Sequence, residues 1–157
     1  QKDHYGKVHF TVMEAPDAVG PVAPENSVDR VLTFRNVHNW YMQTGQAGVE
    51  SAFASFFKAL KKGGGLGVVE HKLPEHLADE AQKSSGYMKQ SFVVAAAEKA
   101  GFKLAAQSDV NFNPLDSTDH EKGVWTLPPG LRLGDKDRAK YLAIGESSRM
   151  TLKFVKP

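Results

Sequence analysis

The sequence contains no cysteine among its 157 residues. That absence excludes disulfides, a thiolate nucleophile and every zinc site that needs a cysteine ligand. It leaves the cellular compartment open, because a chain without cysteine is compatible with reducing and oxidising surroundings alike. We expect a cytoplasmic protein, with a periplasmic or secreted one as the alternative.

Long apolar runs and clustered charges are also missing. No apolar stretch approaches the roughly 20 residues of a membrane-spanning helix. Twenty Lys and Arg oppose 18 Asp and Glu, and no basic run exceeds Lys61-Lys62, so neither nucleic acid nor an anionic membrane is predicted as a partner. Six histidines are present, but no two have the spacing of a helical metal-binding pair, and no metal site is predicted.

Apolar residues recur with the periods of strands and of amphipathic helices in alternation. Their periods predict strands at 8–12, 28–34, 66–69, 102–106 and 150–155, and helices at 49–60 and 87–100. We interpret residues 35–40 as a turn, Gly63 to Gly65 as a helix stop, and 111–145 as a long connection. This order predicts an α/β domain with helices on both faces of its sheet and an antiparallel edge hairpin from the last two strands.

Three segments resemble class I S-adenosylmethionine-dependent methyltransferases. Residues 26–33 (NSVDRVLT) resemble the fourth strand of that family, 56–64 (FFKALKKGG) its "LKPGG" segment, and 98–102 (EKAGF) its "AGF" turn. Residues 35–40 and 123–129 resemble a bacterial group of predicted methyltransferases of unassigned substrate. The resemblance covers residues 8–157 and implies an incomplete, mostly parallel Rossmann-like sheet, with S-adenosylmethionine as cofactor and a small-molecule methyl acceptor.

One departure from the family pattern qualifies that expectation. The family opens with a strand, a Gly-rich turn and a helix that receive the cofactor, whereas the glycine string from Gly63 to Gly67 follows a predicted helix. We therefore interpret residues 1–157 as a single domain that is the C-terminal part of a methyltransferase, with weak or absent cofactor binding and an exposed sheet edge open to homo-oligomerisation. A non-catalytic binding or assembly module is the alternative, and half of a nucleotide-binding oxidoreductase is a third interpretation.

The resemblance also implies roles for individual residues. Asp17 and Ala18 match the positions that contact the adenine, although a turn aspartate is an equal interpretation. Arg35 and Asn36 fall where the family binds its cofactor, at the carboxyl edge of a strand. His38 is the candidate general base, because an imidazole titrates near neutral pH; a hydrogen-bonded turn residue is the alternative.

Further polar and aromatic residues follow the predicted strands or lie in the long connection, where acceptor-binding residues are expected. The candidates for the acceptor pocket are Trp40, Glu70, His71, Tyr87, Trp125 and Arg132. Core packing is the alternative for Trp40, a local polar pair for Glu70 and His71, and a surface ion pair for Arg132.

Overall fold

The structure is a computed structural model that describes residues 6–13 and 21–157. Within these residues five strands and three α-helices alternate, with two short 3-10 helices at Asp79–Lys83 and Gly123–Thr126. The strands are β1 (Val28–Phe34), β2 (Leu60–Leu73), β3 (Met88–Lys89), β4 (Lys103–Ser108) and β5 (Arg149–Val155). The helices are α1 (Val37–Ala59), α2 (Gln90–Lys99) and α3 (Arg138–Ile144).

The sheet has the order β1-β2-β5-β4, with the short β3 beside the end of β2. β1 and β2 are parallel and place Leu32 opposite Gly67, whereas β5 is antiparallel to both β2 and β4. The predicted α/β class and the antiparallel pairing of the last two strands are confirmed. Because β5 is inserted between β2 and β4, β4 forms the outer edge.

The main hydrophobic core lies between the sheet and the two longer helices. Phe53 of α1 and Ala97 of α2 are fully buried in it, together with Leu66 of β2 and Phe154 of β5. Burying a large apolar side chain contributes about 1.5–3 kcal/mol, so this cluster fixes how α1 and α2 lie on the sheet.

The opposite side of the sheet carries an open groove of about 430 Å³. Its lining comes from β1, β2, β4 and β5, and no residue of the described helices contributes to it. Leu32 is 64% exposed there and Phe34 is 57% exposed. The sequence predicts helices on both faces; in residues 6–13 and 21–157, α1 and α2 cover one face and leave this groove open.

Residues 8–12 form no strand, which corrects the sequence prediction. Phe10 is 93% exposed and Val12 is 75% exposed, so their alternation with polar residues does not reflect a buried sheet face. Asp17 and Ala18 lie outside the described residues. Among the described helices, none combines the length and hydrophobicity of a bilayer-crossing segment.

Several boundaries also differ from the predictions. The segment 35–40 is largely helical because α1 begins at Val37, and Gly45 (φ 68°) kinks the helix and interrupts its apolar period. α1 ends at Ala59, so Gly63 belongs to β2, where its φ of 76° fits a bulge beside β1 and not a helix stop. α2 starts at Gln90, and α3 lies within the long connection, where no helix was predicted.

Candidate functional site

The predicted polar residues meet where β1 and β2 end and β5 begins. His38 is the second residue of α1, directly after β1, and Glu70 and His71 lie near the end of β2. The antiparallel register places Arg149 opposite His71. Loops at the carboxyl ends of parallel strands form the usual ligand-binding edge of an α/β sheet, and β5 adds its amino end to that edge.

Glu70 holds His38 through two hydrogen bonds. The His38 Nδ1 lies 2.8 Å from Glu70 Oε1, and the backbone N–H of His38 donates to Oε2 at 3.2 Å. The N–H of His71 donates to Oε1 at 2.8 Å. Because a carboxylate only accepts, the His38 Nδ1 carries a proton, and in the neutral imidazole the free lone pair is therefore on Nε2. The pair therefore orients the imidazole as a proton acceptor.

The same carboxylate stabilises the start of α1. Asn36 occupies the N-cap position, but its side chain makes no capping hydrogen bond, and the first turn of the helix contains no acidic residue. Glu70, on the neighbouring strand, supplies both the capping hydrogen bond and the negative charge. Its carboxylate accepts from a backbone N–H of the first turn and lies at the positive end of the helix dipole. Position 70 is fully buried, so this interaction is shielded from water.

His71 is held neutral on the other side of the pair. Burial above all, followed by repulsion from a protonated His38 and from the charges of Arg35 and Arg149, lowers the pKa of His71 to about 3. Its Nδ1 shares a hydrogen bond of 2.5 Å with the Ser147 hydroxyl, and its ring centroid lies 5.1 Å from that of His38. At neutral pH His71 is therefore an uncharged wall of the site.

A buried carboxylate fixes the long connection over this edge. Asp116 accepts hydrogen bonds from the Tyr87 hydroxyl at 2.9 Å and from the N–H of Ser148 at 2.7 Å, and its Oδ1 lies 2.8 Å from His120 Nε2. Burial and the Asp116 charge raise the pKa of Tyr87 above its ordinary value, so the phenol stays protonated and donates. Since Ser148 follows Ser147, Asp116 also holds the segment that contacts His71.

A cavity of about 320 Å³ opens beside the two histidines. The size is that of a small-ligand pocket. Its walls combine cationic, aromatic and proline side chains. The lining includes Arg35, His38, Asn39, His71, Trp125, Pro128, Pro129, Glu146, Ser147 and Arg149. The ring of Trp125 meets that of His38 edge-on at 6.0 Å.

The fold was compared with known proteins. No protein-family model matches the sequence, and no curated protein matches it. Among solved structures, SpnF, a [4+2]-cyclase, is similar with a TM-score of 0.58 at 20% identity, over 99% of this chain and 59% of SpnF. A SAM-dependent methyltransferase from Methanosarcina mazei has a TM-score of 0.52 at 10% identity, over 85% of this chain and 61% of its own. The chain adopts a class I methyltransferase fold.

A third structure of this methyltransferase fold contains the cofactor. Phosphoethanolamine N-methyltransferase 2 of Haemonchus contortus, in complex with S-adenosyl-L-methionine, has a TM-score of 0.50 at 20% identity, over 86% of this chain and 34% of its own. The chain thus spans about three fifths of the first two structures and one third of the third. At these identities the likeness concerns the methyltransferase fold alone.

The structure brings part of the predicted site together. Arg35, His38, His71 and Trp125 line the cavity, and Glu70 lies behind His38 as its partner. The neighbouring Asn39 lines the cavity, whereas the exposed Asn36 is outside that lining.

Three predicted pocket residues lie elsewhere in the methyltransferase fold. Trp40 packs edge-on against Phe56 at 5.7 Å, at the border of the core. Tyr87 is fully buried and bonded to Asp116. Arg132 stacks on the Trp125 ring at 4.6 Å from its centroid and lines an adjacent cavity of about 530 Å³.

His38, Glu70 and His71 also form a group with metal-ligand chemistry, since their donor atoms lie within 4.8 Å of one another. Sequence spacing did not reveal it, because the three residues come from α1 and β2. A cation bound between His38 Nδ1 and Glu70 Oε1 would displace the proton that they share, and Glu70 already accepts three hydrogen bonds. The donor set therefore fits an oriented imidazole better than a metal centre.

Several residues that sequence reasoning missed come from the start of β5 and the segment just before it. Glu146, Ser147 and Arg149 all line the cavity. The sequence did contain a signal, since an antiparallel final strand must place its first residues beside the last residues of its neighbour. Arg149 immediately precedes the predicted strand 150–155 and could have been assigned to the site by that argument.

Proposed function

We propose that this protein takes part in S-adenosylmethionine-dependent methyl transfer to a small-molecule acceptor, with His38 as the general base. The observation that carries the proposal is the hydrogen bond between Glu70 and His38 at the ligand-binding edge of a methyltransferase fold. The adjoining cavity of about 320 Å³ is of small-molecule size. A neighbour of the same fold is named for a small acceptor, phosphoethanolamine.

The described residues match only one side of a cofactor site. Arg35 and His38 lie at the carboxyl edge of β1, where the methyltransferase resemblance puts the floor between cofactor and acceptor. In residues 6–13 and 21–157, the one Gly-rich string lies inside β2 and forms no strand-turn-helix cradle. We therefore propose that this chain contributes the acceptor half of the site and that, alone, it binds S-adenosylmethionine weakly or not at all.

The chemistry asked of the protein is modest. When bound, S-adenosylmethionine supplies a methyl group that is already activated, so positioning and exclusion of water provide much of the rate. His38 Nε2 accepts the proton that an acceptor hydroxyl or amine loses as it attacks. Glu70 holds the opposite nitrogen and stabilises the imidazolium that forms. His71, neutral at the operating pH, adds no competing charge.

The test combines binding and turnover. S-adenosylhomocysteine is titrated calorimetrically into the 157-residue chain and, where the gene encodes more, into its full product. Methyl transfer is then followed by mass spectrometry against a panel of small hydroxyl and amine acceptors. Transfer must be measured directly, because a cyclase shares this fold. Absence of both binding and transfer in the full product would refute the proposed function.

The base is tested with His38→Gln against His76→Gln. His76 is exposed and belongs to neither cavity wall, so its substitution should leave turnover unchanged. Removing a general base costs about 10²–10⁴-fold in kcat, and we expect His38→Gln to lose that much with little change in KM. Undiminished turnover in His38→Gln would leave methyl transfer standing and reject His38 as the base.

A further inference from the structure

We infer that the cavity beside His38 recognises an acceptor that carries a carboxylate or a similar oxyanion, and that Arg35 and Arg149 bind this group. The inference rests on the proposed function and deepens it by naming the substrate class. Both arginines line the cavity beside the histidines and also a second cavity of about 340 Å³ that adjoins it. A guanidinium group matches the planar geometry of a carboxylate, and the two arginines together outnumber the one carboxylate, Glu146, that lines both cavities.

Arg149 has a donor that lacks an acceptor. Its Nη1 pairs with Glu146, but its Nε is buried and makes no hydrogen bond with any described residue. Buried polar groups in folded proteins nearly always have a partner, because desolvating an unpaired donor is costly. The pairing of Glu146 with Nη1 therefore leaves the other donors of this cavity-lining guanidinium without a described acceptor, and these are the donors that an oxyanion would use.

Arg35 is the second donor, and no described carboxylate competes with a ligand for its guanidinium. In residues 6–13 and 21–157 its guanidinium forms no salt bridge and no side-chain hydrogen bond, although its backbone N–H donates to Val69 at 2.7 Å. Its φ of 56° is left-handed, which L-residues other than glycine, asparagine and aspartate seldom adopt. Strained residues of this kind cluster at ligand sites, and Arg35 lines the cavity.

The surroundings favour an organic anion over an inorganic one. Trp125, Pro128 and Pro129 give the cavity an apolar wall, which an acceptor with a carbon framework would contact. The positive charges of Arg35 and Arg149 both act on His71, so the cationic field extends along the cavity toward the histidine pair. An acid bound by the arginines would thus place its body beside Trp125 and its attacking group near His38.

The probe is 4-hydroxybenzoate, compared with the neutral 4-hydroxybenzyl alcohol, and binding is followed by calorimetry. We expect the acid to bind about tenfold or more tightly than the alcohol, since a charge-assisted bond to arginine supplies at least that factor. Arg149→Gln and Arg35→Gln should each weaken the acid about tenfold and leave the alcohol unchanged. Lys153→Gln, an exposed cation elsewhere on β5, should change neither.

Equal affinity for acid and alcohol, no binding of the acid at millimolar concentration, or insensitivity to both arginine variants would overturn the inference. A second comparison tests whether the arginines bind the carboxylate of the cofactor and not that of an acceptor. It uses S-adenosylhomocysteine, which has this carboxylate, and 5′-methylthioadenosine, which lacks it. If Arg149→Gln weakens only S-adenosylhomocysteine, the arginines bind the cofactor and the inference fails. Arg149→Lys is the control for a folding defect in Arg149→Gln. It keeps the positive charge without the planar guanidinium, and we expect it to bind the acid with intermediate affinity. These readouts require no turnover, so they are separate from the test of methyl transfer.

Discussion

Glu70 contacts His38 at two points, through the imidazole Nδ1 at 2.8 Å and through the backbone N–H at 3.2 Å. One carboxylate of β2 therefore starts the helix that follows β1 and sets the tautomer of the first imidazole on that helix. The parallel pairing of β1 with β2 brings the two residues together, although they are 32 positions apart in sequence. The orientation of the His38 imidazole and the stability of the fold depend on the same side chain.

Glu70→Gln should lower the free energy of unfolding by about 1–3 kcal/mol. The amide retains one acceptor atom but loses the charge at the helix N-terminus and turns a donor toward a buried N–H. Urea unfolding at neutral pH measures the change. Glu98→Gln is the matched control, because Glu98 is exposed and its side chain makes no hydrogen bond within the described residues. Equal stability of the two variants would contradict the capping role of Glu70.

His71 should make the protein less stable as the pH falls. Its folded-state pKa of about 3 lies below the ordinary value of 6.5, because burial and the neighbouring charge of His38 disfavour the imidazolium. The unfolded chain then binds the proton that the folded chain excludes. The stability that neutral His71 contributes to the folded state is therefore fully present above pH 6.5 and is lost progressively as the pH falls toward 3.

Urea unfolding of the wild type, His71→Gln and His76→Gln at pH 7 and pH 5 measures this contribution. Between those two values the wild type should lose up to about 2 kcal/mol more than His71→Gln does. His76 is exposed, so His76→Gln should follow the wild type. An identical loss in all three proteins would show that His71 binds its proton normally in the folded state.

The fold could be predicted further from sequence than the site. The apolar stripe containing Val49, Phe53 and Phe56 identified the packed half of α1, because tertiary burial and helical period coincide there. Gly45 interrupts that period, and residues 35–40, which include His38, were interpreted as a turn. Residues 8–12 alternate as a strand would, yet Phe10 is exposed and belongs to no strand.

Candidate site residues were predictable where a side chain with acid-base chemistry followed or ended a predicted strand, as for His38, Glu70 and His71. Their pairing was not, because a 32-residue separation is closed only by the strand register. Trp40 was assigned to the pocket because it follows β1, but the helix turns it toward Phe56. Arg149 was missed because it precedes the predicted strand 150–155, although an antiparallel final strand has to begin at this edge of the sheet.

Asp116→Asn should lower the free energy of unfolding by about 2–4 kcal/mol, since an amide cannot accept every donor that converges on this buried carboxylate. The donors include the Tyr87 hydroxyl and the backbone N–H groups of Thr118 and Ser148. Hydrogen exchange should show faster exchange of the Ser148 amide. Asp109→Asn, at an exposed position, should change neither quantity, and unaltered exchange at Ser148 in Asp116→Asn would refute the anchoring role.

Gly123 lies in the loop over the site, against the backbone of Ser85. Its N–H bonds to His120 at 2.9 Å, and a Cβ at this position would overlap the carbonyl oxygen of Ser85. Gly134 has a similar left-handed φ, 62° against 56°, but a Cβ there meets nothing within 4 Å. Alanine therefore adds the same backbone strain at both positions and a steric clash at only one.

Gly134→Ala should cost about 1 kcal/mol of unfolding free energy from backbone strain alone, and Gly123→Ala should cost about 2 kcal/mol more because backbone must move to admit the methyl group. Thermal and urea unfolding of both variants measure the difference. Since the neighbouring Val124 and Trp125 line the cavity beside His38, Gly123→Ala should also weaken binding of a ligand there, whereas Gly134→Ala should not. Equal costs in both variants would show that the loop moves away from Ser85 freely and is not held against it.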